Sequence, residues 1–195
     1  MSPKKIGILG GTFDPPHIAH LIIAQEVLEK LKLDRIWFVP SFIPPHKRND
    51  KVTLARHRLQ MVKLAISQNR KFKVSDIELE RKGMSFTVDT LREIHLKWPE
   101  IRLYLILGSD NLRFLSGWKE PEAIFRLAKV VLVKRPGARL SRANIWVRRG
   151  VIIEAPLLEV SSTQIRERVR QKQSIAYWVP VRVEKYIEEH RLYTK

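Results

Sequence analysis

The sequence predicts an α/β protein: a doubly wound parallel sheet with helices on both faces and a small helical part after about residue 160. Three observations carry this expectation. Strand-sized apolar runs alternate with helical patterns along most of the chain, the signature of β-α units. The runs Leu103–Leu107 and Val130–Val133 are apolar throughout, as strands covered on both faces are. The 195 residues suit one domain over 1–195, with a helical cap over about 160–195, and are enough to bury a core.

The elements follow in order. Lys5–Leu9 is a short strand. His17–Leu31 is helical, with Leu21, Ala24, Leu28 and Leu31 on one stripe, and Arg35–Val39 is the next strand. Thr53–Gln68 is a helix whose apolar positions include Leu54, Leu59, Val62 and Ala65–Ile66. Phe72–Leu79 is expected as a strand and Thr87–Leu96 as a helix capped by Thr87. Arg102–Leu107 is a strand, followed by one or two short helices within Asn111–Ala128. Val130–Val133 and Val151–Ile153 are strands, and the basic stretch Pro136–Arg149 between them is expected to be a loop. Ser162–Gln171 and Val181–Arg191 are the final helices.

Composition narrows the function classes. No apolar run approaches the roughly 18 residues of a membrane span, and Met1-Ser2-Pro3-Lys4-Lys5 leads straight into a strand, which leaves no room for a signal peptide. The absence of cysteine removes disulfides, thiolate zinc sites and cysteine nucleophiles, and suits a cytoplasmic location. A net charge of +17 draws polyanions. Many of the bases nevertheless stand among acids on helix faces, such as Glu26, Glu29, Lys30 and Lys32, as on a solvated surface.

In a parallel sheet, ligands gather beyond the carboxyl ends of the strands. After the first strand the chain reads Gly10-Gly11-Thr12-Phe13-Asp14-Pro15-Pro16-His17-Ile18-Ala19-His20. Paired glycines permit a sharp turn and close approach of a ligand. They make neither a G-x-G-x-x-G dinucleotide fingerprint nor a P-loop. His17 and His20, three apart on a first helical turn, face one side. With the N–H groups of a helix start they make a compact phosphate site. Two such histidines also suit a metal, but no H-E-x-x-H pattern or third ligand is visible.

This string resembles the G-x-F-x-P-x-H-x-x-H signature of the nucleotidyltransferase superfamily, which shares its HxGH theme with class I aminoacyl-tRNA synthetases. Ala19 stands where that theme has Gly. Near residue 160 the chain reads Val160-Ser161-Ser162-Thr163-Gln164-Ile165-Arg166. Ser161 and Gln164 make a capping box, and Ser162, Thr163 and Arg166 fall on one side of the helix start. The segment resembles the superfamily's I-S-S-T-x-I-R signature. The resemblance implies a Rossmann-like sheet of the HxGH type and an ATP triphosphate held by Ser162, Thr163 and Arg166.

Four middle segments resemble the bacterial nicotinate-nucleotide adenylyltransferases. Pro44-Pro45-His46-Lys47 would aim His46 and Lys47 at phosphates. Ser85-Phe86-Thr87-Val88-Asp89-Thr90 resembles the segment whose backbone amides receive the nicotinate carboxylate. In Gly108-Ser109-Asp110-Asn111-Leu112, Asp110 would accept from a ribose diol, and Trp118 further on would stack on the pyridine ring. Val133-Lys134-Arg135-Pro136-Gly137 resembles a segment that contacts the adenine edge.

The resemblance thus implies transfer of the adenylyl group of ATP to nicotinate mononucleotide. His17 and His20 are the catalytic residues. Gly10, Gly11, Thr12, Phe13, Gly108, Asp110, Lys134, Arg135, Ser162, Thr163 and Arg166 bind ATP with them. Thr12, His46, Lys47, Ser85, Phe86, Thr87 and Trp118 bind the mononucleotide. Mg²⁺ would bridge phosphate oxygens, held mainly by ATP and water rather than by protein ligands. The alternatives are an adenylyltransferase for nicotinamide mononucleotide or phosphopantetheine, and, from another class, a basic nucleic-acid-binding protein. Against the last, the sequence carries no recognised nucleic-acid-binding module, no aromatic-rich basic strand and no RGG tract. No membrane partner is expected, and the choice between monomer and homo-oligomer stays open.

Overall fold

The computed structural model describes residues 3–44, 52–134, 140–141, 143–156 and 158–194. Among these, six strands form one parallel sheet: β1 Lys5–Gly11, β2 Arg35–Pro40, β3 Phe72–Val74, β4 Arg102–Gly108, β5 Lys129–Lys134 and β6 Val151–Glu154, in the order β3-β2-β1-β4-β5-β6. Order reverses between β1 and β4, the doubly wound arrangement expected. The helices are α1 Ile18–Lys30, α2 Ala55–Ile66, α3 Ile77–Arg81, α4 Thr87–Lys97, α5 Pro121–Leu127, α6 Ile145–Arg149, α7 Ser162–Arg170 and α8 Val181–Glu189.

Two apolar clusters sandwich the sheet. Ile6, Ile8, Leu103, Leu105, Leu107, Val130 and Leu132 meet Val88, Leu91 and Ile94 of α4 and Ile124 of α5. On the other side, Ile36, Phe38, Ile106, Val131 and Val133 meet Ala24, Val27 and Leu28 of α1 and Val62 and Ile66 of α2. Strand side chains alternate faces, so the solidly apolar runs are buried on both. A third cluster joins Met61 of α2 to Ile165 of α7 and to Val183 and Ile187 of α8. The helices after residue 160 therefore pack chiefly on α2. No described helix is long and apolar enough to cross a membrane.

Three local expectations are corrected. The strand expected over Phe72–Leu79 ends at Val74, because Asp76 opens α3, its carbonyl accepting from the N–H groups of Leu79 and Glu80. The cap of α4 is Phe86 rather than Thr87, which is already the first helical residue; the Phe86 carbonyl accepts from Asp89 and Thr90. Within Pro136–Arg149, Asn144 caps α6 by accepting from the Trp146 N–H at 2.9 Å, and Trp146 and Val147 are buried. The remaining elements end within one or two residues of expectation, apart from the segment after β4, where 3₁₀ turns at Ser109–Arg113 and Leu115–Gly117 precede α5.

Candidate active site

The sheet opens a crevice where strand order reverses. β1 and β4 pair only as far as Ile8↔Leu105. Beyond that point each stays paired with its outer neighbour, to Gly11↔Pro40 on β2 and Gly108↔Val133 on β5. The two central strands part there, and Gly10, Gly11 and Gly108 stand on either side of the gap. Gly10 is exposed, and the space into which a side chain would project is open, so backbone can meet ligand directly. Gly108 keeps its carbonyl on the Asn111 amide at 3.3 Å, and Asp110 is exposed on the following 3₁₀ turn.

From the end of β1 the chain turns through Phe13, whose φ is 50°. The Phe13 ring enters the core and is only 2% exposed, edge-on to His20 with centroids 5.0 Å apart. Phe13 therefore reaches a ligand only through its backbone. The rings of His17 and His20 lie 3.7 Å apart. The His17 backbone N–H donates to His20 Nδ1 at 3.2 Å. With Nδ1 accepting, a neutral His20 carries its proton on Nε2.

The expected anion site on α1 amides is corrected at the same place. The N–H of His17 is held by His20, that of Ile18 by the carbonyl of Trp178 at 3.0 Å, and that of His20 by His17. These three amides are therefore bonded within the protein. Ala19 is buried.

The start of α7 meets this turn. The capping box is present: Ser161 Oγ accepts from Gln164 N–H at 3.2 Å, and Ser161 N–H donates to Gln164 Oε1 at 2.9 Å. Ser162 Oγ donates to the Pro15 carbonyl and Arg166 to the Asp14 carbonyl, each at 2.8 Å. Arg166 also reaches Thr163 Oγ1 at 3.3 Å. Of the five N–H donors of a guanidinium, these two contacts use two. The two signature segments, some 140 residues apart in sequence, are thus adjacent in space.

Of the residues expected to bind the mononucleotide, Ser85, Phe86 and Thr87 stand at the start of α4. Ser85 is buried, and its Oγ accepts from the Phe42 N–H at 2.8 Å, which ties the segment after β2 to α4. The Lys119 ammonium lies 5.1 Å from the centre of the Phe86 ring and pairs with Asp89 at 2.9 Å. The neighbouring Trp118 is half-buried and, like Phe86, packs against the core cluster that includes Val88 and Leu115. Lys134, at the end of β5, pairs with Glu154 of β6 at 3.1 Å. His46, Lys47 and Arg135 lie outside the described residues.

The cytidylyltransferase-like family model matches residues 8–168. The nicotinate-nucleotide adenylyltransferase of Bacillus subtilis (strain 168) is 44% identical over 190 residues, covering 97% of this chain and 98% of that protein. A probable nicotinate-nucleotide adenylyltransferase of Bacillus licheniformis shows the same identity and coverage. The chain belongs to the nicotinate-nucleotide adenylyltransferases. It is accordingly an enzyme, a nucleotidyltransferase. A solved structure of Plasmodium falciparum nicotinic acid mononucleotide adenylyltransferase, complexed with NaAD, shares the fold at a TM-score of 0.82, with 24% identity over 97% of both chains.

Sequence reasoning missed the side chains that carry the turn of this adenylyltransferase. Arg58 of α2 is 1% exposed. Its guanidinium donates to the carbonyls of Thr12 at 2.8 Å, Thr53 at 2.8 Å and Phe42 at 3.1 Å. Burial pulls its pKa down, opposed by Asp14, Tyr193 and Glu78. The signal was available: Arg58 stands four before Val62, on the buried stripe of its helix. Asp14, 3% exposed, accepts from Tyr193 Oη at 2.7 Å and from the Thr53 N–H at 3.1 Å. Glu78 is buried and accepts from Thr90 Oγ1 at 2.6 Å; burial raises its pKa against the opposing pull of Thr90, Ser85, Arg81 and Arg58.

Proposed function

We propose that this chain transfers the adenylyl group of ATP to nicotinate mononucleotide, releasing pyrophosphate and forming nicotinic acid adenine dinucleotide. The observation that carries the reading is the convergence of the Gly10–His20 turn with the start of α7 at the mouth of the β1–β4 crevice. A phosphate oxygen of the mononucleotide attacks the α-phosphorus in line; the new P–O bond forms as the bond to pyrophosphate breaks. No covalent enzyme intermediate is needed, so the protein's task is positioning and charge stabilisation.

His17 and His20 face the transferring phosphate, with the Nε2–H of a neutral His20 as donor. Gly10, Gly11, the backbone of Thr12 and Phe13, Gly108, Asp110 and Lys134 line the path of ATP, Arg135 is assigned to ATP with them, and Ser162, Thr163 and Arg166 meet its outer phosphates. Thr12, His46 and Lys47 take the mononucleotide phosphate. The amides at Phe86–Thr87, beside Ser85, take the nicotinate carboxylate at a helix start, and Trp118 stacks on the ring. Among the described residues no three His, Cys, Asp or Glu side chains cluster as metal ligands. We assign Mg²⁺ mainly to the phosphates of ATP, with which it enters, and to water. We place the reaction in one domain over 1–195, in the cytoplasm.

The test is pyrophosphate release from Mg-ATP with nicotinate mononucleotide, nicotinamide mononucleotide or phosphopantetheine as acceptor. Release that is fastest with the nicotinate form is expected. Release only with another acceptor overturns the assignment of the α4 and Trp118 side, and no release with any of them overturns the reaction.

A further inference from the structure

The turn that bears the two histidines is held at three carbonyls by side chains distant in sequence: Thr12 by Arg58, Asp14 by Arg166, Pro15 by Ser162. The Asp14 side chain stands apart from these contacts. It is a nearly fully buried carboxylate, and a buried anion needs donors on its oxygens. One oxygen is held from the lead-in to α2, by Thr53 N–H at 3.1 Å. The other is held from beyond α8, by the hydroxyl of Tyr193 at 2.7 Å. Tyr193 itself has φ 65°, a conformation unfavourable for an aromatic residue. Two contacts hold it there: its ring packs on the cluster of Met61, Ile165 and Val183, and its hydroxyl ends on Asp14. Burial, and then the Asp14 carboxylate, push the Tyr193 pKa far above the usual tyrosine range, so the hydroxyl keeps its proton and stays a donor.

We propose that Tyr193 is a positioning residue for adenylyl transfer: its hydroxyl, bonded to the Asp14 carboxylate, sets the orientation of the turn that presents His17 and His20. The mechanical path is short. Asp14 precedes His17 by three residues, and Pro15 and Pro16 between them leave little torsional freedom to absorb a shift. A small displacement of a group that meets the transition state lowers turnover more than it lowers binding. This inference rests on the proposed roles of His17 and His20.

The experiment compares Tyr193→Phe, Asp14→Ala, the double variant and Tyr186→Phe with the unaltered enzyme, reading kcat, both KM values and the thermal midpoint. Tyr193→Phe removes one oxygen and keeps the packed ring. A tenfold loss of kcat, about 1.4 kcal/mol, is expected, with both KM values within about twofold. The double variant is expected to be no worse than the poorer single one, because both break the same bond. Tyr186→Phe breaks the 2.9 Å bond to His57 that docks α8 on α2 without touching Asp14, and kcat is expected to hold.

Unchanged kcat in Tyr193→Phe overturns the proposal, as does an equal loss in Tyr186→Phe, which would make the hydroxyl only part of helix docking. Additive losses in the double variant overturn the route through Asp14. Should Tyr193→Phe not fold, Asp14→Ala, which removes the acceptor, gives the same comparison against Tyr186→Phe from the other end of the bond. An unaltered enzyme inactive with every acceptor would instead indict the reaction assigned above.

Discussion

Replacing Arg58 by lysine puts the buried scaffold of the site to a quantitative test. The guanidinium makes three hydrogen bonds at 2.8–3.1 Å to carbonyls of three separate segments. An ammonium retains the charge beside Asp14 but is a single point on a flexible stem, so it reaches about one of the three acceptors. Each bond from a charged donor contributes about 1.5–3 kcal/mol. Losing two, with partial relaxation, costs about 3 kcal/mol. For a chain of this size that lowers the thermal midpoint by about 6–12 °C. Arg58→Met, which also strips the buried Asp14 carboxylate of its neighbouring cation, costs about 3–5 kcal/mol. Thermal unfolding followed by circular dichroism, paired with pyrophosphate release, reads both effects; kcat should fall as well, since Thr12 opens the histidine turn. A midpoint for Arg58→Lys within about 2 °C of the unaltered protein would refute the claim that these bonds hold the segments together.

Two further outcomes follow from the same geometry. His20→Ala removes the Nε2–H donor and should lower kcat by about two orders of magnitude or more while leaving the circular dichroism spectrum unchanged; a variant retaining most of its turnover would dismiss the role of His20. Glu78 has its folded pKa raised above 4.5, so its favourable contribution is complete below 4.5 and is lost as pH rises through the raised value. Glu78→Gln keeps an acceptor for Thr90 and removes the titration, so its thermal midpoint relative to the unaltered protein should climb as pH rises above 4.5. A difference that stays flat with pH would contradict the assignment.

The sheet was legible because its strands are buried on both faces and read as unbroken apolar runs. The site's two ends were legible because glycines, paired histidines and a capping box are local patterns. What escaped was tertiary. Phe72–Leu79 carries strand-like apolar residues, but Asp76 starts a helix there that propensity alone does not signal. A threonine at the head of α4 drew the cap one residue too far, since a helix can be entered through Phe86 with no side-chain cap. The amides of α1 looked open to phosphate because Trp178, which takes the Ile18 N–H, lies far along the chain. Nothing local to Asp14 announces Tyr193. Arg58 differed, since a charged residue on a buried helical stripe is a local anomaly.

The histidine turn and four of its tethers are far apart in the order of synthesis. The turn leaves the ribosome early, and the sheet is complete at Glu154. Ser162, Arg166, Trp178 and Tyr193 all follow. A chain growing at about 5–20 residues per second therefore finishes its scaffold before it acquires these fastenings. A nascent chain can carry a formed sheet and both histidines, yet the turn gains its last bond only when residue 193 has emerged.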